Sequence, residues 1–382
     1  YYASPNYLTS IDWLADHGAV LLQVATHALL SGDQSFIDEW TESIVKACDF
    51  IKDACAKKGH DGVEGLMPAA VATDDMIPTQ SIWNLAWNYK GLTKAVQLLE
   101  KINHPRAASF KSFANQYKVT FIKAFREAAA KAPKWKDANG QEYPVPVTTL
   151  SKTPPPKHVY DDAFSLDTGP LVLVWAGLFD ATDPLMTAAT KFFREGPNWD
   201  LKGPRFNAVS RPVLEREMST CEPCYSWNVV HSWDLADRKR YLEGMYSLFV
   251  GSLSQNTFTS CEHRTGMQGT LFSTPLAFWM ARMALIDDEV KSNELHLLRF
   301  CPMAWITADK ETRLQEMPTI YGPVDLIFQM DKAGHTLNLT FKGHWRQKPG
   351  KVVLQVPPMS GLRFMVVNGK KYSVVNKKQL TL

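Results

Sequence analysis

Residues 80–100 are apolar or aromatic on most sides of a helical wheel, and a helix of that kind has to be covered all round by other protein. Helical periodicity runs to about residue 287 and alternates between mostly apolar segments and amphipathic ones. Apolar helices are expected over 11–30, 80–100, 162–179, 222–235 and 270–286. Amphipathic partners are expected over 36–56, over 106–131, and after the starts at Asp183-Pro184 and Asp237. Short breaks such as Ser31-Gly-Asp33 and His104-Pro105 join partners, whereas long loops (57–78, 132–161, 195–221, 251–268) precede most apolar members. An inner ring of apolar helices clothed by an outer ring of amphipathic ones meets the covering requirement. The expected fold class is therefore mainly α, an (α/α)6 six-hairpin toroid. Five inner helices are visible, one short of a closed ring, and the missing first hairpin is expected to be truncated at the N-terminus. The plainer alternative is an irregular helical bundle, since the spacing of roughly 45 to 80 residues lacks the self-similarity of short solenoid repeats.

After residue 292 the pattern changes to short β-rich runs at 295–300, 324–330, 337–341, 352–356 and 363–367. Turn signals separate them, among them Tyr321-Gly322-Pro323, Pro349-Gly350 and the hairpin dipeptide Asn368-Gly369. These runs predict a small antiparallel β-sandwich over 291–382, following the helical domain at 1–290, or else a separate binding module.

With 45% hydrophobic and 21% charged residues, the chain can build a sizeable core. A net charge of +3 without a basic run argues against nucleic acid as a partner. No stretch of 18 apolar residues predicts a membrane span. The start at Tyr1-Tyr-Ala-Ser-Pro-Asn, without Met, reads as a fragment or processed product. Six cysteines in a chain this long are not a disulfide framework. Cys48 and Cys55 lie about 10 Å apart along one expected helix, too far to bond.

If the apolar helices are inner, the loops before them open on one face and carry a rim of acids. Trp13 and Asp16 belong to the first, and Asp61, Glu64 and Asp75 to the second, which leads into Trp83, Asn84 and Trp87. Asp162 closes the third loop, Glu222 and Tyr225 the fourth, and Glu262 and His263 stand in the fifth. Twelve tryptophans suit the flat apolar faces of sugars, and core filling between helices is the competing account. Substrate contacts are expected from Trp13, Asp75, Trp83, Asn84, Trp87, Tyr225 and His263. Glycosidic bond cleavage needs two flanking carboxyl groups, for which Glu262, Glu222 and Asp162 are the candidates. Helix capping is the alternative for any one acid and suits Asp74, Asp161, Asp183 and Asp237 well. Glu caps poorly, and the aromatic and cysteine neighbours of Glu222 and Glu262 can raise a carboxyl towards the range of an acid catalyst. His231, inside an apolar helix, reads as a satisfied core histidine.

The helix pairing, Gly65-Leu-Met-Pro, Ser81-Ile-Trp-Asn-Leu-Ala-Trp and Thr259-Ser-Cys-Glu262 together resemble the six-hairpin glycosidases, which include glucoamylases, trehalases and α-L-rhamnosidases. The resemblance implies a glycoside hydrolase that acts on an oligo- or polysaccharide through paired carboxylates and needs no cofactor. In α-L-rhamnosidases a late Thr-x-x-Glu loop holds the general base, which maps onto Glu262. Their general acid lies in an upstream acidic motif that this sequence does not show. Within the chain Glu222, before the neighbouring inner helix, is then the choice for acid, with Asp162 one hairpin further away. A second resemblance, of Glu222-Pro-Cys224-Tyr-Ser to β-L-arabinofuranosidases, implies zinc held by Cys221, Cys224 and Cys261. Those enzymes carry several cysteines in the later loop and this chain carries one. A carbohydrate-binding protein that kept the ring and lost the chemistry is the non-enzyme alternative.

Overall fold

The computed structural model describes residues 13–72, 78–153, 169–196, 227–254, 256–259 and 273–382. The chain forms two compact units, Tyr1–Thr26 with Ser35–Ser273, and His27–Gln34 with Thr274–Leu382.

The first unit is built on α1 (Leu14–Ser31) as far as Thr26, with α2 (Gln34–Ala56), α3 (Ile82–Lys101) and α4 (Ala107–Lys131), while the last turn of α1 belongs to the second unit. They continue in α5 (Val172–Ala176), α6 (Pro184–Glu195), α7 (Asn228–Asp234) and α8 (Arg238–Ser252). Helix α3 is buried on almost every side, from Ile82, Trp83, Asn84 and Leu85 through Tyr89 and Leu92 to Leu98 and Leu99. Its outer partner α4 buries one stripe, Phe110, Ala114, Tyr117, Phe121 and Phe125, at helical spacing. Tyr117 stacks on Tyr89 at 5.6 Å and donates its hydroxyl to the Leu85 carbonyl at 3.0 Å. The alternation of covered and one-faced helices is therefore real in this pair.

Side-chain caps begin α3, α6 and α8, whereas α4, α5 and α7 start without one. Ser81 accepts from the Asn84 amide, Asp183 from Leu185 and Asp237 from Arg240, so Asp183 and Asp237 do serve as N-caps. Two expectations need correction. The apolar run expected as one helix to residue 179 is helical only over Val172–Ala176 within the described residues, because Gly177 takes a left-handed φ of 80°. Leu178 then folds back to donate to the Leu173 carbonyl. The stretch read as loop 132–161 contains a hairpin, β1 (Lys134–Lys136) with β2 (Glu142–Pro144), turning at Asn139-Gly140 with Gly140 at φ 79°. Trp135 and Tyr143 of this hairpin pack on Val145 and Phe192.

The second unit holds α9 (Ser273–Leu285) and two sheets. Strands β3 (Ile286–Asp287), β4 (Glu294–Leu297), β8 (Lys351–Gln355) and β11 (Gln379–Thr381) form one sheet in the order β11-β8-β4-β3. Strands β5 (Thr312–Met317), β6 (Val324–Met330), β7 (Thr336–Gly343), β9 (Phe364–Val367) and β10 (Lys370–Ser373) form the other, in the order β10-β9-β7-β6-β5. Alternate residues of β6 and β7, with Leu295, Leu297, Val352, Leu354, Met365 and Val367, close one core between the sheets. Asn368-Gly369 makes the β9–β10 turn, both residues at positive φ.

The sheets are mixed, not antiparallel throughout as the strand pattern predicts. Strand β4 runs parallel to β8, and β7 parallel to β9. The chain leaves one sheet for the other at β8 and returns at β9, and each such excursion brings the next strand back in the same direction. Arg346 fastens the end of α1 within this unit by donating to the carbonyls of Leu29, Leu30, Ser31 and Thr319 at 2.8–3.0 Å.

In the first unit, α1 and α3 touch backbone to backbone at two glycines. A Cβ on Gly18 would run into the Trp87 carbonyl, and one on Gly91 into the Gly18 carbonyl. In an uncrowded helix, replacing Gly by Ala adds about 1 kcal/mol of stability. Here Gly91→Ala is expected to remove about 1–3 kcal/mol in urea unfolding, the range for overpacking. An unchanged or raised midpoint would contradict the close crossing.

Candidate functional site

The glycine crossing brings the start of α1 against the second and third turns of α3, and side-chain amides lock them. Asn88 donates to the Leu14 carbonyl at 2.9 Å and to the Asn84 carbonyl at 2.8 Å. Asn84 donates to the carbonyls of Ala70 and Val71 at 3.3 and 3.2 Å. Gln80, just before the cap, holds the preceding loop through Val63 and Met67, and its backbone meets Ser151 and Leu150. Every amide hydrogen of Asn84 and Asn88 is thus spent on backbone, while the Oδ1 atom of each is buried without a partner among the described residues.

Trp83 and Trp87 lie one turn apart on α3 and meet Trp175 of α5 and Trp227, the residue capping α7. Centroid separations are 5.4 Å for Trp83–Trp87, 4.6 Å for Trp87–Trp175, 4.9 Å for Trp175–Trp227 and 6.0 Å for Trp87–Trp227. Most of these contacts are edge-to-face or tilted, the arrangement the ring quadrupole favours. Lys90, one turn further along α3, places its ammonium 5.2 Å from the Trp175 ring. Trp83 and Trp227 are each only 8% exposed, whereas Trp87 and Trp175 are half-buried and keep part of their surface open. The indole N–H groups of Trp13, Trp87 and Trp227 are buried without an acceptor among the described residues.

Two titratable groups stand at the same helix starts. Burial raises the carboxyl of Asp16, in the first turn of α1, from its ordinary value. His231, one helical turn after Trp227, is 5% exposed and is lowered to about 4 by burial, then by the Arg194 cation. The Ala181 carbonyl favours its charged form, although among the described residues neither ring nitrogen meets the geometry of a full hydrogen bond. The expectation of a core position for this histidine holds. An aromatic wall fringed by donors and acceptors that lack partners among the described residues suits a flat, hydroxyl-bearing ligand.

No protein-family model matches the chain, and no curated protein matches it. The chain is similar to the crystal structure of the GH78 family rhamnosidase of Bacillus sp. GL1, with a TM-score of 0.49 and 11% identity. The match covers 92% of this chain and 34% of that one, so the chain spans about a third of that enzyme's length.

Of the residues expected at the site, Trp13, Trp83, Asn84 and Trp87 are described, and the structure gathers the last three in the first two turns of α3. Trp13 directly precedes Leu14, whose carbonyl Asn88 holds. Glu262, Glu222, Asp162, Asp75, Tyr225 and His263 lie outside the described residues, as do Cys221, Cys224 and Cys261. Two other acids of the second loop have structural duties. Asp61 accepts the amides of Lys152 and Thr153, and Glu64 pairs with Lys58 at 2.9 Å. Cys48, Cys55 and Cys301 are buried, and the Cys301 thiol donates to the Pro302 carbonyl at 3.6 Å. Among the described residues no cluster of His, Cys, Asp and Glu is arranged to hold a metal ion, and no helix is long and apolar enough to cross a membrane. Sequence reasoning missed Trp175 and Trp227 as site residues. The signal for Trp227 is its place at the start of an apolar helix, as for Trp83, whereas Trp175 stands near the end of its short helix and offered no such signal.

The depressed His231 sets a pH dependence. The unfolded chain takes up this proton below about pH 6.5, and the folded one only near 4. Stability from a neutral buried His231 is therefore full above the unfolded value and lost as pH falls through that window. The loss amounts to about 3 kcal/mol at most. Urea midpoints of the wild-type chain should fall from pH 6.5 to 4, and those of His231→Leu should fall less steeply. Parallel slopes would show that His231 does not carry the effect.

Proposed function

We propose that the chain is a glycoside hydrolase whose helical hairpins close into a six-hairpin toroid, with the sugar held over the tryptophans of α3, α5 and the start of α7. The observation that carries this reading is the meeting of Trp83, Trp87, Trp175 and Trp227 beside buried polar atoms that lack partners among the described residues. A polyhydroxylated ring offers both what the wall takes, an apolar face, and what the fringe lacks, hydroxyls that donate and accept. The Thr259-Ser-Cys-Glu262 stretch before the next apolar helix adds its resemblance to the general-base loop of α-L-rhamnosidases.

In this reading Glu262 takes a proton from water as the water adds to the anomeric carbon, and a second carboxylic acid protonates the departing oxygen. Glu222 is the proposed acid. Asp162 is a further carboxyl proposed for the same rim. Asp75, Tyr225 and His263 complete the proposed sugar contacts with Trp13, Asn84 and Trp87.

The test is turnover of a panel of 4-nitrophenyl glycosides by the full chain and by Glu262→Gln. The variant should lose about a thousandfold or more in kcat while its thermal unfolding stays that of the wild type. Near-normal turnover would remove Glu262 from the chemistry. A wild-type chain that binds sugars and releases no nitrophenol would be a carbohydrate-binding protein.

A further inference from the structure

From Lys332 to Leu382 the chain carries ten lysines and arginines and no aspartate or glutamate. The whole chain has a net charge of only +3, so everything before Lys332 is net acidic. Like charges gathered in one segment repel each other, at a cost to the fold that a partner of opposite sign removes. Six of these cations meet at one corner of the β-sandwich. Lys370 and Lys371 stand on β10, the edge strand of the five-stranded sheet. Where β10 ends, the Val374 amide donates to the Arg363 carbonyl, and the Lys377 amide to the Val374 carbonyl. The Lys378 carbonyl accepts there from the Val356 amide. The Arg363 amide donates to the carbonyl of His335, which follows the turn that holds Lys332.

All six are exposed. The ion pairs of this unit lie elsewhere, among them Lys291 with Glu294, Arg299 with Asp287 and Arg313 with Glu311. None of the six takes part in one among the described residues. Asp331, the last acid of the chain, stands beside Lys332 and accepts the His335 amide at 2.8 Å. Lysines on an edge strand guard against strand addition, which accounts for Lys370 and Lys371 but not for the other four. The adjoining outer face of the sheet narrows the choice of partner. Asn338 and Thr340 of β7 are exposed there, Asn338 paired with Val366 of β9, and offer an amide and a hydroxyl to sugar hydroxyls. Lys371 covers the Phe364 ring, its Nζ 3.9 Å from the centroid, so no open face is left there for a nucleic-acid base. Val375 is the one large apolar side chain exposed beside these cations, too little to enter a lipid surface.

We infer that this basic corner of the β-sandwich is a binding surface for an acidic polysaccharide. Its cations meet the carboxylates of the polymer, and Asn338 and Thr340 meet the hydroxyls between them. The inference concerns binding by the second unit and does not rest on the glycosidase reading, so a chain that hydrolyses nothing leaves it standing. Lys377→Gln/Lys378→Gln removes two of the cations that edge protection leaves unexplained. Lys377→Arg/Lys378→Arg keeps their charge, and Lys123→Gln/Lys131→Gln removes the same charge from α4.

The experiment titrates fluorescently labelled polygalacturonate with the full chain and the three variants, at low and at raised salt, with neutral dextran, duplex DNA and phosphatidylserine vesicles alongside. The wild-type chain is expected to bind polygalacturonate, more weakly as salt rises, and to leave dextran unbound. Lys377→Gln/Lys378→Gln should bind about three- to tenfold more weakly, whereas the Arg pair and the α4 pair should keep the wild-type affinity. No binding of polygalacturonate overturns the inference, and so does an equal loss in the two Gln variants, which would make net charge the only cause. Tighter binding of the DNA or of the vesicles than of polygalacturonate overturns it in favour of another polyanion.

Discussion

The backbone contact between α1 and α3 fixes where everything else near the site can stand. Gly18 and Gly91 let the two helices meet without side chains between them. At that separation Asn88 reaches the Leu14 carbonyl and Asn84 reaches Ala70 and Val71. Once α3 is held on that face, the stripe of Trp83, Trp87 and Lys90 must turn towards α5 and α7, where Trp175 and Trp227 receive it. A Cβ at the crossing would push the helices apart and take the amide bonds with it. The aromatic wall is thus a consequence of two residues that have no side chains.

The polar fringe of this wall is poorly explained by folding alone. A buried donor or acceptor left unpaired costs about 1–3 kcal/mol, and several without a partner among the described residues gather in these few helix turns: three indole N–H groups and the Oδ1 atoms of Asn84 and Asn88. The same helices satisfy their polar groups elsewhere, as Tyr117 does with Leu85 and Gln80 with Val63 and Met67. Orphan groups concentrated beside half-buried tryptophans are what a site waiting for hydroxyls would hold. His231 contributes as a neutral ring, since burial keeps it uncharged well below neutrality.

Much of this was legible in the sequence where a single local rule decides the outcome. Helix α3 announces itself by being apolar all round, α4 by its one stripe, and Asp183, Asp237 and Asn368-Gly369 by cap and turn chemistry. The misses have physical causes. The run Leu171 to Phe179 is apolar throughout, so periodicity did not reveal that Gly177 ends the helix. Asn139-Gly140 carries the same turn signal as Asn368-Gly369, but the strands beside it are only three residues long and lie between prolines. Parallel pairing of β4 with β8 and of β7 with β9 depends on which sheet each strand joins, which no local pattern encodes. The tryptophan wall needed the fold as well: Trp83 and Trp87 were visible as a pair, whereas Trp175 and Trp227 join them from helices far along the chain.

The central claim is that a sugar ring lies against Trp87 and Trp175. A crystal structure of the full chain, soaked with the saccharide it cleaves or binds best, tests it most directly. The account predicts a pyranose ring in van der Waals contact with the open faces of these two tryptophans, its hydroxyls meeting the Oδ1 atoms of Asn84 and Asn88 or the free indole N–H groups. A sugar bound elsewhere, with the four tryptophans closed over by the protein's own side chains, would contradict it.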